Sequence, residues 1–311
     1  MNRRLAYFGR TRALALGLLA AVGCAAPAQP DSPGYARPEL LVSADWVLEH
    51  AADPGVRIVD LRPRGYEDGH IPGAVHLANA DIRDAQAPPT FLPTVEAFEA
   101  LMGRLGISNG TRVVAYDGRG GIYAARLWWI LNYFGHANVA LLDGGWQHWR
   151  ARGLATAADV PVVAGAGFTA RPNPAWIATA DDVLAAIGAP GVKIVDARTV
   201  AEIEGRDLRN IRRGGAIPSS IPVYWEDAFD PDTHLLKPAE TLRRLYADKG
   251  VLPEYDVIAY CQVGMRAAHD LFVLRLIGYD NLRNYYGAWE EWGNRDDLPI
   301  TGSPERGLAS F

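Results

Sequence analysis

The sequence predicts an α/β protein of two tandem domains, each a mainly parallel sheet flanked by helices. Three observations carry this reading. A chain of 311 residues exceeds what one hydrophobic core ordinarily serves. Short, β-branched apolar runs alternate with helical patterns, the rhythm of βαβ units whose strands are buried on both faces. The same plan then occurs twice, in the same order.

In chain order, QPDSPGYAR (29–37) is a polar, proline-bearing lead-in, and LVSADWVLEHA has the spacing of an amphipathic helix behind the N-cap Ser43. VRIVDLR (56–62) reads as a buried strand, TVEAFEALMGRLG as a helix, and TRVVAYD (111–117) as the next strand. GIYAARLWWILNYFG then reads as a helix and NVALLDGG as a third strand. The repeat follows over residues 172–302. Asp60-Leu-Arg62 is echoed by Asp196-Ala-Arg198, GHIPGA (69–74) by GGAIPSS (214–220), and VVAYD (113–117) by VIAYC (257–261). DGGWQHW (143–149) returns as YGAWEEW (286–292), with both tryptophans displaced by 143 positions. The domains are therefore placed at 38–153 and 172–303. The Ala-, Gly- and Val-rich stretch 154–171 is expected to connect them.

The net charge is −5, from 31 Lys+Arg against 36 Asp+Glu, and no basic run is present. That argues against a general nucleic-acid binder. The N-terminus differs in kind: MNRRLAYFGRTR holds four arginines and no acid, and ALALGLLAAVG supplies a short apolar stretch. Residues 1–23 read as a signal peptide, too short for a stable membrane span. AVGC places Cys24 where a bacterial lipoprotein carries its lipidated cysteine, although Ala21 stands where such signals usually have Leu. Ala26-Pro27-Ala28 offers ordinary signal peptidase a competing site that would discard Cys24. Either cleavage implies export to the cell envelope or periplasm, with membrane attachment only through Cys24. A twin-arginine reading of Arg3-Arg4 lacks its flanking residues. Removing residues 1–23 takes the net charge from −5 to −9.

Only two cysteines occur, so a mature chain without Cys24 keeps Cys261 as its one thiol and forms no internal disulfide. Cys261 opens YCQVGMRAAH, between the apolar runs VIA and LFVLRLIG, where a strand gives way to a helix. There the free backbone N–H groups and the helix dipole favour a thiolate. The alternative is a buried structural cysteine, but an exposed lone thiol in an oxidising compartment invites side reactions, which fits a reactive residue better than a packing one. A loop of small residues curling into a helix makes an anion-binding nest for thiolate or persulfide. Arg266 closes the loop with a cation whose fork of donors suits an oxyanion and favours the thiolate. Gly264 fits a turn with an unusual backbone angle. Gln262, Val263, Gly264, Met265 and Arg266 are thus the expected substrate-binding residues, with Cys261 as covalent catalyst in a ping-pong cycle.

These residues together resemble a tandem rhodanese, a sulfurtransferase of two homologous α/β domains of which only the second usually keeps the catalytic cysteine. The resemblance covers roughly residues 38–303. It rests on the Asp-x-Arg after the first strand, GHIPGA, the FGHANVALLDGGWQHW close of the first copy, and CQVGMRA. Asp117 stands in the first copy where Cys261 stands in the second, as in the non-catalytic half of such proteins, and GRGG (118–121) is the degenerate first loop. The resemblance implies sulfane-sulfur transfer from thiosulfate or 3-mercaptopyruvate through a Cys261 persulfide, to cyanide, a small thiol or a protein thiol, with no cofactor. Cys-based phosphatases, some of rhodanese fold, place five residues between Cys and Arg; here four separate Cys261 from Arg266, a smaller cradle suited to sulfur. Mercaptopyruvate-type enzymes usually have Gly-Val-Thr in the loop and an arginine four residues after the Asp-x-Arg arginine. Here those places hold Gly264-Met265-Arg266 and Glu202, and a glutamate would repel a substrate carboxylate. Thiosulfate is therefore the expected donor, with Arg266 supplying charge and Arg212 or Arg213 as further candidates. A persulfide carrier without useful turnover and a purely structural lipoprotein are the alternatives from other classes.

The remaining polar residues have plainer readings. Asp60 with Arg62, and Asp196 with Arg198, are expected to hold loops within each domain. His70 and His76 belong to no cluster with metal-ligand spacing. Arg212 and Arg213 read most simply as a solvated surface pair. Trp146, Trp149, Trp289 and Trp292, three apart on their helices, indicate core or interdomain packing before ligand binding.

Overall fold

The structure is a computed structural model, which describes residues 34–84, 86 and 91–302. The signal-peptide reading of residues 1–23, the lipidation reading of Cys24 and the last residue of the 172–303 domain lie outside the described residues. Among the described residues no helix is long and apolar enough to cross a membrane.

The first domain comprises β1 (Leu41–Val42), α1 (Ala44–His50), β2 (Val56–Asp60), β3 (Val75–His76), α2 (Val95–Arg104), β4 (Arg112–Tyr116), α3 (Ile122–Tyr133), β5 (Val139–Leu142) and α4 (Gly145–Ala151). The second comprises β6 (Ile177–Ala178), α5 (Ala180–Ala186), β7 (Val192–Asp196), α6 (Val200–Ile203), β8 (Ile221–Pro222), α7 (Ala239–Ala247), β9 (Asp256–Tyr260), α8 (Met265–Leu276), β10 (Leu282–Tyr285) and α9 (Ala288–Trp292). Each forms a five-stranded sheet, in the orders β1-β5-β4-β2-β3 and β6-β10-β9-β7-β8, and every strand pair within them is parallel. The repeat in sequence is thus a repeat in topology. The first helix begins as its sequence dictates, with the Ser43 side chain accepting from the Trp46 N–H at 3.1 Å. Strand β2 ends at Asp60, short of the run around it: Leu61 N–H still donates to Tyr116 O, and Arg62 then turns its N–H and guanidinium back to Asp60.

The domains meet along α3 and α8, which continue from the two corresponding β4 and β9 loops. Both are buried nearly all round, as helices between layers are, although α8 carries Arg266, His269, Asp270 and Arg275 among its apolar residues. Trp128 packs edge-on against Phe272 with centroids 5.4 Å apart, and Trp129 tilts against Tyr286 at 4.7 Å. A single apolar cluster runs from one sheet to the other through these rings. Burying each indole contributes on the order of 4–5 kcal/mol of area-based stabilisation, so the two domains share one core.

The stretch 154–171, expected as a connection, is bound along the first domain. Ala157 bridges His70, the Ala166 N–H donates to Gly103 O, Thr169 exchanges two bonds with the Asn109 side chain, and Arg171 N–H donates to Phe134 O. Phe168 is buried edge-on against Phe98. A segment without its own helix or strand is held because its backbone bonds the domain it crosses near both ends, at Ala157 and at Ala166–Arg171.

Candidate active site

Each domain builds the same scaffold under its β4 or β9 loop. In the first, the Asp60 carboxylate accepts from Arg62 Nε and Nη2 at 2.9 and 2.6 Å and from Tyr116 OH at 2.6 Å, while the phenol oxygen accepts from Ile71 N–H at 3.2 Å. In the second, Asp196 accepts from Arg198 Nε and Nη2 at 2.9 and 2.7 Å and from Tyr260 OH, and Tyr260 accepts from Ile217 N–H at 3.2 Å. This is why Asp-x-Arg and the Ile-Pro of GHIPGA and GGAIPSS travel together. Burial and the neighbouring aspartate push both phenols above their ordinary range, keeping them protonated donors.

The tryptophan echo belongs to the same scaffold. Arg62 lies 3.9 Å over the Trp146 ring and Arg198 lies 4.2 Å over Trp289. The Trp146 N–H donates to Asp117 O at 2.8 Å, and Trp289 N–H to Cys261 O at 2.9 Å. Trp149 and Trp292 tie the chain that follows, to Ala155 O and Pro299 O. All four act within their own domains. The aromatic residues that join the domains are Trp128 and Trp129.

Cys261 is free and fully buried at the end of β9. Residues Gln262 and Val263 are half-exposed, and Gly264 caps α8 in the left-handed conformation, φ +78°. A Cβ at Gly264 would stand 2.3 Å from the Tyr286 ring, so only glycine fits there. Its carbonyl accepts from Asn284 Nδ2 at 3.0 Å, and Gln262 O accepts from Glu290 N–H at 3.0 Å. Met265, the first residue of α8, lies at the domain boundary with its sulfur 3.9 Å from Asn79 Nδ2.

The first loop shows what this geometry binds. Asp117, in the position of Cys261, accepts four backbone N–H bonds, from Arg119 (2.7 Å), Gly121 (3.0 Å), Tyr123 (2.7 Å) and Ala124 (3.0 Å). The loop and first turn of α3 thus form an anion nest filled by the chain's own carboxylate. With Cys261 in that place, no carboxylate occupies the corresponding cradle of the second loop. A cavity of about 560 Å³ opens beside the first loop, lined by Arg62, Arg119, Tyr123, Trp146 and Gln147 among others.

Arg266 differs from expectation. It is buried, and its Nη1 and Nη2 donate to the Glu202 oxygens at 2.6 and 2.7 Å. The fork expected for a substrate oxyanion is therefore engaged by a carboxylate. Glu202 is also held by Thr199 in a capping box and by Arg209 Nε at 3.3 Å. Burial alone would raise the Glu202 carboxyl, but the Arg266 bonds and charge outweigh it and bring it down to about 2. Burial works against the Arg266 cation, and Glu202 with the Cys261 sulfur more than restores it. The expected repulsion of a substrate carboxylate by Glu202 is thereby largely cancelled, because that charge is already paired. Arg213 is not a solvated surface residue either: its guanidinium donates to the carbonyls of Leu298 and Trp292 at 3.0 and 2.8 Å and to that of Arg295. Arg212 bonds Asn294 and Asp296. Neither arginine is spent on the cysteine loop.

The structure brings to Cys261 groups that the sequence reading passed over. Arg126 of α3, Tyr286 and Asn79 gather beside the loop, and Arg126 Nε and Nη1, Tyr286 OH and Asn79 Oδ1 have no partner among the described residues. Arg83 crosses the boundary to Glu290 at 2.7 Å. The available signal for Arg126 was its place as the lone charge in the apolar helix IYAARLWWIL. His70 is buried and stacked on Tyr66, and His76 Nε2 bonds Arg62 O. Among the described residues, no group of three or more His, Cys, Asp or Glu could hold a metal ion.

Comparison with known proteins agrees with this architecture. The rhodanese-like domain profile matches twice, over residues 43–152 and 179–295. The chain is 38% identical over 281 residues to a thiosulfate sulfurtransferase of Corynebacterium glutamicum, covering 86% of this chain and 91% of that one. It is also 38% identical to the sulfur carrier protein TtuD of Thermus thermophilus, covering 88% and 100%. Among solved structures it matches SseA of Escherichia coli, described as a 3-mercaptopyruvate sulfotransferase, with a TM-score of 0.73 at 30% identity over 80% of this chain and 98% of that one. With both copies matched and these sulfur-handling relatives aligned across nearly their whole length, the chain belongs to the rhodanese family of sulfurtransferases, as a tandem of two rhodanese-like domains.

Proposed function

We propose that the protein transfers sulfane sulfur from thiosulfate to a nucleophilic acceptor, cyanide or a thiol, through a persulfide on Cys261. The observation that carries this is the pair of loops: one fills its ring of four N–H donors with Asp117, and the other presents a sulfur in the same place. The corresponding second loop would offer such a ring to the anionic thiolate and persulfide states of Cys261. In the first half-reaction the Cys261 thiolate attacks the outer sulfur of thiosulfate. The new S–S bond forms, the old one breaks, and sulfite leaves with the bonding pair. In the second, the acceptor attacks the persulfide's outer sulfur and the thiolate is restored. The first domain, with Asp117 in place of cysteine, offers no nucleophile for this cycle.

The identity to the Corynebacterium glutamicum enzyme supports thiosulfate as donor. A second donor, 3-mercaptopyruvate, is favoured by one specific observation: Arg266 neutralises the glutamate that was expected to repel its carboxylate. The likeness to Escherichia coli SseA points the same way. The deciding experiment is steady-state sulfur transfer to cyanide with each donor, using Cys261→Ser as blank. Thiosulfate-dependent thiocyanate formation that vanishes in Cys261→Ser is the expected result. A higher kcat/KM with mercaptopyruvate replaces the donor and keeps the chemistry, while undiminished turnover by Cys261→Ser overturns the mechanism.

A further inference from the structure

The cysteine loop is faced, from the other domain, by a buried cation that no carboxylate among the described residues contacts. Arg126 is fully buried, and of its nitrogens only Nη2 reaches an acceptor, the Ile82 carbonyl at 3.5 Å. Nε and Nη1 bond nothing among the described residues. The guanidinium carbon lies 5.4 Å over the Tyr286 ring, and that ring closes directly on Gly264 of the cysteine loop.

The position follows from how the domains pack. Arg126 and His269 each stand five residues beyond the glycine caps Gly121 and Gly264 of α3 and α8. As the helices cross, each carries that residue toward the other domain's loop. His269 lies 3.7 Å from where a Cβ on Gly121 would be, and Arg126 comes within electrostatic reach of Cys261. The partners are matched to what each loop holds. The Asp117 loop, already satisfied by four N–H bonds, faces a histidine that burial pushes down to about 4 and so keeps neutral. The Cys261 loop faces a permanent guanidinium.

The other charges around the loop cancel. Arg266 is offset by Glu202, Arg209, which also reaches Glu202, by Asp207, and Arg83 by Glu290. A buried charge without a partner is strongly unfavourable, and it is retained where function supplies the partner. Burial raises the Tyr286 pKa, which leaves that phenol a neutral donor beside the sulfur. We propose that Arg126, carried by the non-catalytic domain, is the counter-cation of the persulfide anion on Cys261. This rests on the sulfur-transfer reading above. Loading converts the Cys261 thiolate and thiosulfate into a monoanionic persulfide and sulfite, and Arg126 balances that persulfide charge without itself changing. The first domain is then kept because it completes the second domain's site.

The test compares wild type, Arg126→Met and Arg126→Lys in the full protein. Persulfide is followed by intact-mass spectrometry and thermal midpoints are measured before loading. Unloaded, Arg126→Met and Arg126→Lys are both expected to melt within about 2–4 °C of wild type, since Arg126 makes one long hydrogen bond in the fold. After loading, the persulfide half-life should fall about tenfold in Arg126→Met and recover in Arg126→Lys. A merely structural arginine predicts the reverse: an unloaded Arg126→Met that melts well below wild type, with a persulfide as long-lived as the native one. Either of those results overturns the proposal. If wild type takes no sulfur from thiosulfate or mercaptopyruvate, the donor reading fails, and loading with inorganic polysulfide still decides the role of Arg126 by the same half-lives.

Discussion

Replacing Glu202 by glutamine isolates the buried pair that holds Arg266. The carboxyl falls from an ordinary 4.5 to about 2 in the folded protein, a drop worth about 3 kcal/mol at 1.36 kcal/mol per unit. That agrees with the roughly 3–5 kcal/mol lost when one side of a buried ion pair is removed. Because the folded-state pKa is depressed, the stabilisation is fully present above the unfolded value near 4.5 and disappears as pH falls through about 2. Glutamine cannot titrate. Urea unfolding followed by tryptophan fluorescence should therefore show Glu202→Gln about 3 kcal/mol less stable than wild type at pH 7, with the gap closing between about pH 5 and pH 2. The shared α3–α8 core makes a single transition the expected form of these curves. A gap below about 1 kcal/mol at pH 7, typical of exposed pairs, refutes the reasoning. So does a gap that stays constant to pH 2.

The first-domain nest and the loop glycine give two further tests. Asp117→Ala leaves four N–H donors without their acceptor, so the protein should lose about 3 kcal/mol. Sulfate should restore part of the lost thermal midpoint by entering the vacated nest, and an absence of any sulfate-specific rescue would contradict its anion-binding character. Gly264→Ala should destabilise by about 3 kcal/mol and depress turnover, because a left-handed alanine would stand 2.3 Å from Tyr286. Gly73→Ala, equally left-handed at φ +80° but with nothing within 4 Å, should cost only about 1 kcal/mol by the same melting experiment. Equal losses would show that the Tyr286 contact does not matter.

Much of this architecture was legible in the chain because it depends on local order. The strands β2, β4 and β5 follow from β-branched apolar runs, α1 from Ser43 and its amphipathic spacing, and the duplication from ordered echoes. The resemblance of CQVGMRA to a rhodanese loop located Cys261, and the glycine pattern anticipated the left-handed cap at Gly264. Even Asp60 with Arg62 was readable, since a pair two residues apart after a strand can close on itself.

What could not be read were contacts between segments far apart in sequence. Sequence spacing assigned Arg266 to a substrate oxyanion, whereas Glu202, 64 positions away, reaches it first. The tryptophans of α4 and α9 read as core or interdomain packing, and only their stacking on Arg62 and Arg198 shows them serving their own domains. Composition made 154–171 a linker, while hydrogen bonds to Gly103, Asn109 and Phe134 bind it to one domain. By itself the sequence determined the two parallel α/β domains, the loop that carries Cys261 and the family, because periodicity, capping and turn chemistry act over a few residues. Tertiary structure alone decided which cations remain unpaired beside the sulfur, because charge balance in a buried site depends on which distant side chains fold into it.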